Sequence, residues 1–264
     1  TRQVYRLLSD YTGRKLAWGM LTGVRPTKLA MQRLEQAGNG GVPDSEKMGE
    51  VVSWLEKEYF VSREKAVLAA RVAHREKELL SRLDCRDGFS LYVGIPFCPS
   101  VCSYCSFSSS PLEQWKGRVD SYLDALVKEI RALSEMAKGR RLDTVYIGGG
   151  TPTTLEPEQL RRLLACISSE FNLEGALEFT VEAGRPDSIT EEKLAALREY
   201  PVSRISINPQ TMQQKTLDLV GRRHTVQQTV EAFYAARAMG FDNINMDLIA
   251  GLPEETAADM RDTL

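Results

Sequence analysis

Three cysteines stand at positions 98, 102 and 105 of "LYVGIPFCPSVCSYCSFSSS" (residues 91–110), spaced C-x3-C-x2-C on a stretch that Pro96 and Pro99 keep out of a helix. Thiolates are soft ligands, and this spacing suits an iron–sulfur cluster or zinc. Structural zinc asks for a closed set of four. The residues that could complete one, Cys85, Cys166, His74 and His224, stand at no finger-like spacing. Zinc, or thiols that are merely buried, is the alternative the residues leave open. Three thiolates on a cubane of four irons leave one iron free to take a small molecule through its amine and carboxylate. A sulfonium held beside that iron could receive an electron, which is the chemistry of S-adenosylmethionine: reductive cleavage gives methionine and a 5'-deoxyadenosyl radical, the hard step being the cofactor's. Phe97, Tyr104 and Phe107 are expected to pack around the cluster and limit water. Cys166, in "LLACI", reads as a core residue.

Further polar or flexible groups fall at regular distances along the chain. "GGGTPTT" (148–154) offers three glycines that let a ligand approach the backbone, or simply make a tight turn. It lacks the lysine of a phosphate loop and the spacing of a dinucleotide fingerprint. Glu182, Gln210 and Asp247 each follow or interrupt an apolar run. Asp247, inside "NINMDLIAGLP", is expected to be buried and therefore paired or ligand-bound. Arg222, in "LVGRRHT", could pair with it or with a ligand carboxylate, and salt-bridge scaffolding is the alternative for each of these residues. His224 is expected in a loop or helix cap.

The elements that must position these groups follow from pattern. From residue 89 onward, short apolar runs at 90–96, 144–150, 178–184, 203–210 and 243–253 alternate with amphipathic helical stretches. Such alternation predicts βαβ units and a parallel sheet, either covered on both faces or closed into a barrel. Chemistry in such folds collects at the carboxyl ends of the strands, so the tails of these runs are where function is expected. Residues 1–88 instead repeat apolar positions every three or four residues and predict an α-rich N-terminal region, with Ser45 and Ser62 as N-caps, a break at 38–45 and a boundary at "CRDG" (85–88). The chain of 264 residues is long enough for two domains. With 34 Lys and Arg against 36 Asp and Glu there is no basic field to suggest nucleic acid as a partner. No signal segment or membrane-length apolar run is visible, so a cytoplasmic location is expected. The chain begins without Met and stops at "DMRDTL" in a helical pattern, so a continuation is expected.

The ordered set "LYVGIPFCPSVCSYCSF", "YIGGGTPT", "TVEAG", "RISINPQTMQQKTLDLVGRRHT" and "NMDLIAGLPEET" resembles the radical S-adenosylmethionine enzymes of the oxygen-independent coproporphyrinogen III oxidase family. "WGMLTGVRPTK" (18–28) further resembles that family's coproporphyrinogen dehydrogenase branch. The resemblance implies an α/β fold, a partial (β/α)6 barrel with five strands in residues 89–264, the sixth strand and a C-terminal domain lying beyond Leu264. It implies a [4Fe-4S] cluster on Cys98, Cys102 and Cys105, with no catalytic residue beyond the cluster and S-adenosylmethionine. Gly148, Gly149, Gly150 and Thr151 would touch the amino group and methionine backbone of S-adenosylmethionine. Glu182, Gln210, Arg222 and Asp247 would contact its amine, carboxylate and ribose, with Tyr92 at the edge of the site and Phe107 near the adenine.

The resemblance also implies oxidative decarboxylation of coproporphyrinogen III to protoporphyrinogen IX, a tetrapyrrole substrate, and an electron donor such as flavodoxin or ferredoxin. The chain departs from the oxidase branch at Gly94, where that branch has His, and at Phe107, where it has Cys. The second departure is shared with relatives that act as heme chaperones and with others that open the heme ring anaerobically.

Overall fold

The computed structural model describes residues 1–36, 44–84 and 86–264. Most of the expected break at 38–45, and Cys85 at the expected boundary, lie outside them. The described residues form two compact units, Thr1–Leu83 and Asp84–Leu264.

The first unit holds α1 (Arg2–Thr12), α2 (Pro26–Gln36), α3 (Asp44–Tyr59) and α4 (Arg63–Leu80). Ala66, Ala69, Ala70 and Ala73 of α4 recur at helical spacing and are all buried, so α2 and α3 pack closely against a face with almost no side-chain bulk. Ala30, Leu34, Val51 and Leu55 fill the other side of that core. Ser62 caps α4 as expected, its hydroxyl accepting from the Lys65 amide at 3.4 Å. Ser45 does not cap α3: the helix begins at Asp44, which puts Ser45 in its first turn.

The second unit begins with β1 (Gly88–Ile95), then β2 (Phe97–Cys98) and β3 (Ser110–Pro111), α5 (Leu112–Trp115), α6 (Val119–Met136), β4 (Arg141–Gly149) and α7 (Pro157–Glu170). It continues through β5 (Glu178–Glu182), α8 (Glu191–Arg198), β6 (Arg204–Ser206), α9 (Gln214–Leu219), α10 (Val226–Ala238), β7 (Ile244–Asn245) and α11 (Ala257–Thr263). Five strands form one parallel sheet in the order β1-β4-β5-β6-β7. Each new strand adds on the same side, so right-handed crossovers send the helices to one face. There α6 packs on α7, α7 on α8 and α8 on α10. This is the winding of a partial β/α barrel rather than of a sheet covered on both faces.

Alternation along the strands divides the residues between the two faces. Leu91, Val93 and Ile95, Val145 and Ile147, Phe179 and Val181, and Ile205 and Ile207 turn toward the helices and form the core. Leu160, Leu163, Leu164 and Ile167 of α7 meet them and are fully buried. Each is worth roughly 1.5–3 kcal/mol of burial. Pro157 and a reciprocal cap between Glu156 and Gln159 fix where α7 starts. The opposite, concave face carries Tyr92, Tyr146, Glu182, Arg204 and Ser206.

The run 243–253 is not a long strand. Its ladder is Ile244–Asn245, followed by a single bridge between Gln210 and Leu248. The cause is local. Asn208 takes the Asp247 amide on its side chain (3.2 Å), which interrupts the backbone ladder until Gln210, at φ 68°, rejoins it. Among the described residues no helix is long and apolar enough to cross a membrane.

Candidate functional site

The cysteine loop is tied down at its root. Gly150 donates its amide to Ile95 O (2.7 Å) and Thr151 to Phe97 O (2.8 Å), so the tails of β1 and β4 stay zipped past the end of the ladder. The pairing of β2 with β3 closes the loop at both ends. Inside it, the Cys105 amide bonds Cys102 O (3.0 Å), and the Ser103 amide reaches Val220 O (3.0 Å). Cys98, Cys102 and Cys105 are free thiols, half-buried. Burial pushes the Cys98 thiol up, while the Thr151 hydroxyl, 3.5 Å from its sulfur, partly opposes this. Loading a metal must therefore displace its proton.

The glycine tail is built for close approach. A Cβ at Gly150 would lie 2.7 Å from Phe97 O and 3.0 Å from Cys98 Sγ. One at Gly148 would lie 2.6 Å from the Tyr146 ring and 3.0 Å from Glu182 Oε2. Thr151 is buried beside them. Glu182 ends β5 on the concave face and accepts from the Tyr146 hydroxyl. Burial pushes its carboxyl up, and the Tyr146 hydroxyl and Gly149 amide, both donors, pull it back toward the ionised form. Burial and the neighbouring Glu182 raise Tyr146, which therefore stays a donor. Tyr92 stacks on Tyr146 (centroids 5.9 Å apart, planes at 11°) with its far side open.

Arg222 is buried but does not meet Asp247. Its Nη1 donates to the Tyr104 hydroxyl (3.1 Å) and its Nη2 to Asn208 O (2.6 Å) and Gly184 O (3.3 Å). Its Nε has no partner. Asp247 is exposed, contrary to its apolar setting in sequence, and takes the Asn245 side-chain amide at 2.7 Å. The backbone of Gln210 is held on both sides, its amide by Asp247 O (3.0 Å) and its carbonyl by the Ile249 amide (2.9 Å). His224 lies in the loop just before α10, as expected, and is fully buried: both ring nitrogens lack partners, and burial with the Arg222 charge lowers its pKa to about 4. Phe97 is core, edge-on to Tyr122, and Tyr104 is half-buried under Arg222. Phe107 is 74% exposed, so it does not shield the loop as expected.

Two residues escaped the sequence reading. Tyr146 sits two positions before Gly148, on the same face by strand period, which is the signal that could have found it. Arg185, one residue past the quoted "TVEAG", is 3% exposed and bonds Asp187, Ser100 and Cys102.

The residues fit a cluster with a small cationic ligand beside it. Three soft donors share one loop, a glycine lies where a Cβ would strike the Cys98 sulfur, a carboxylate ends β5, and a guanidinium with an unused N–H lies against the tails of β5 and β6. Among the described residues no three Cys, His, Asp or Glu converge on a point for one metal ion. A cluster asks instead for thiolates spread over different irons.

The Radical SAM superfamily pattern matches residues 92–264. Over 262 residues the chain is 41% identical to the oxygen-independent coproporphyrinogen-III oxidase-like protein HemZ of Bacillus subtilis, covering 98% of this chain and 51% of that protein. It is 41% identical over 170 residues to the heme chaperone HemW of the same organism, covering 63% of this chain and 44% of that protein. Among solved structures it superposes on the coproporphyrinogen III oxidase HemN of Escherichia coli, described as a radical SAM enzyme, with TM-score 0.61 and 32% identity, over 71% of this chain and 43% of that one. The chain spans about half the length, or less, of these relatives.

Proposed function

The chain belongs to the radical SAM superfamily, and from that premise we propose that the full-length protein oxidatively decarboxylates two propionates of coproporphyrinogen III to give protoporphyrinogen IX without oxygen. Cys98, Cys102 and Cys105 would hold a [4Fe-4S] cluster, and Gly148, Gly149, Gly150 and Thr151 would hold the amine end of S-adenosylmethionine. Together these groups, when bound, supply the radical that removes hydrogen from substrate. The chain's own residues do the rest. Glu182 receives an ammonium: burial works against its anion, the Tyr146 hydroxyl and Gly149 amide favour it, and an arriving cation favours it further. Arg222 has one donor, Nε, left for a carboxylate. Gln210 and Asp247 would take the ribose, and Tyr92 and Phe107 would border the adenine. An electron carrier such as flavodoxin or ferredoxin would reduce the cluster.

The observation that carries this reading is the joining of the cysteine loop to the glycine tail, where the backbone closes on Cys98 with no room for a Cβ. It supports the cofactor pair, while the tetrapyrrole rests on likeness to the oxidases. The test is anaerobic turnover of the full-length protein, reconstituted with iron and sulfide and reduced, measuring 5'-deoxyadenosine and carbon dioxide with and without coproporphyrinogen III. Substrate-dependent formation of both is expected. A protein with an intact cluster that releases no carbon dioxide overturns the decarboxylase reading.

A second reading, heme delivery, is favoured by the 41% identity to HemW and by the exposed Phe107 after the last cysteine. Under it, stoichiometric heme binding without turnover is expected in the same preparation. Deoxyadenosine formed with heme as the added tetrapyrrole would point instead to ring opening.

A further inference from the structure

Arg185 makes none of the cofactor contacts proposed above, yet it is 3% exposed, at the tail of β5. Its guanidinium is divided between two tasks. Nε and Nη2 form a two-pronged pair with Asp187 at 2.9 and 2.7 Å. Nη1 turns to the cysteine loop, donating to Ser100 Oγ (3.1 Å), Ser100 O (3.4 Å) and Cys102 Sγ (3.7 Å). Ser100 Oγ passes the link on to Gly221 O at 3.1 Å.

A buried ion pair is a poor device for stability alone, because removing both charges from water costs as much as their attraction returns. A neutral amide could hold Ser100 without that cost. What a guanidinium adds is positive charge and an N–H aimed at a cysteine sulfur. Both favour the more negative, reduced form of an iron–sulfur cluster ligated there. We propose that Arg185 is a positioning residue for Cys102 that makes the bound cluster easier to reduce, with Asp187 setting how much of its charge the cluster feels. The proposal rests on the cluster reading above.

The test is a redox titration of the reconstituted full-length protein, followed by the electron paramagnetic resonance of the reduced cluster, after iron and sulfide have been counted. Arg185→Met is expected to shift the midpoint to more negative potential, Arg185→Lys less so, and Asp187→Asn to more positive potential. A structural clamp alone would give both Arg185→Met and Asp187→Asn the same loss of iron and no opposed shifts. Unchanged midpoints, or shifts of the same sign, overturn the proposal. Should Arg185→Met hold no cluster, Asp187→Asn decides by itself: an upward shift supports the proposal, and any other result ends it. A wild-type protein without iron and sulfide would instead overturn the cluster reading.

Discussion

The tails of β1, β4 and β5 and the tails of β6 and β7 meet at one site but are built by opposite means. On the first side the backbones stay zipped beyond the ladder, glycines leave no room for a Cβ, and Glu182 is held by a tyrosine that is itself stacked. On the second side the last strand is two residues long, Asp247 is exposed, and Gln210 is held through its backbone. Binding energy is best served by groups already placed, since ordering them later costs entropy. The first side is therefore expected to set affinity and geometry, and the second to close around what is bound.

The largest effect should come from the cysteines. Cys98→Ser, which keeps the loop's size, is expected to lower iron content and turnover by more than about 100-fold, beyond the range typical of residues that only support a ligand. Iron retained at wild-type level would break the assignment.

Next is His224, buried within the electrostatic reach of Arg222, Asp187 and Arg185. Its pKa falls from 6.5 in the unfolded chain to about 4 in the folded one. Below pH 6.5 the unfolded chain takes up a proton that the folded chain refuses. Stability is therefore complete above that pH and is lost as pH falls toward 4, by up to about 3 kcal/mol at 1.36 kcal/mol per unit. Urea melts at several pH values should show a smaller acid loss in His224→Phe than in wild type.

Gly150→Ala drives a Cβ into Phe97 O and the Cys98 sulfur. It should cost about 1–3 kcal/mol. Gly184→Ala, whose nearest neighbour would be 3.9 Å away, should stay within about 0.5 kcal/mol. Equal melting points would show that the backbone beside Gly150 is no more closely packed than that beside Gly184. The smallest effects sharpen the same contrast in binding. Glu182→Gln should weaken S-adenosylmethionine binding about tenfold, the worth of one charge-assisted hydrogen bond. The exposed Asp247→Asn should weaken it by about threefold or less. Calorimetric titration of the reconstituted protein measures both.

How much of this was legible depended on whether a residue's role is local. The cysteine loop, the glycine tail and Glu182 follow from spacing along single strands; the alternation of strands and helices carried the parallel sheet, and the barrel came from the resemblance. Asp247 misled because an apolar run reads as a long buried strand. The ladder instead breaks where the Asn208 side chain takes the Asp247 amide, a contact that comes from the tail of another strand. Phe107 misled likewise: an aromatic beside a cysteine suggests packing, but its ring is mostly exposed. Arg185 was missed because its partners Ser100 and Cys102 lie far back in the chain, although the Arg-x-Asp spacing to Asp187 was there to be read.

Gln210 makes one more point. Its φ of 68° is a conformation that side chains with a Cβ resist, and glycine would adopt it with least strain. Under the proposed ribose contact, glutamine there sets folding against use. Gln210→Gly is expected to melt at the same temperature or higher and to bind S-adenosylmethionine less well, a position where a more durable protein would be a poorer one.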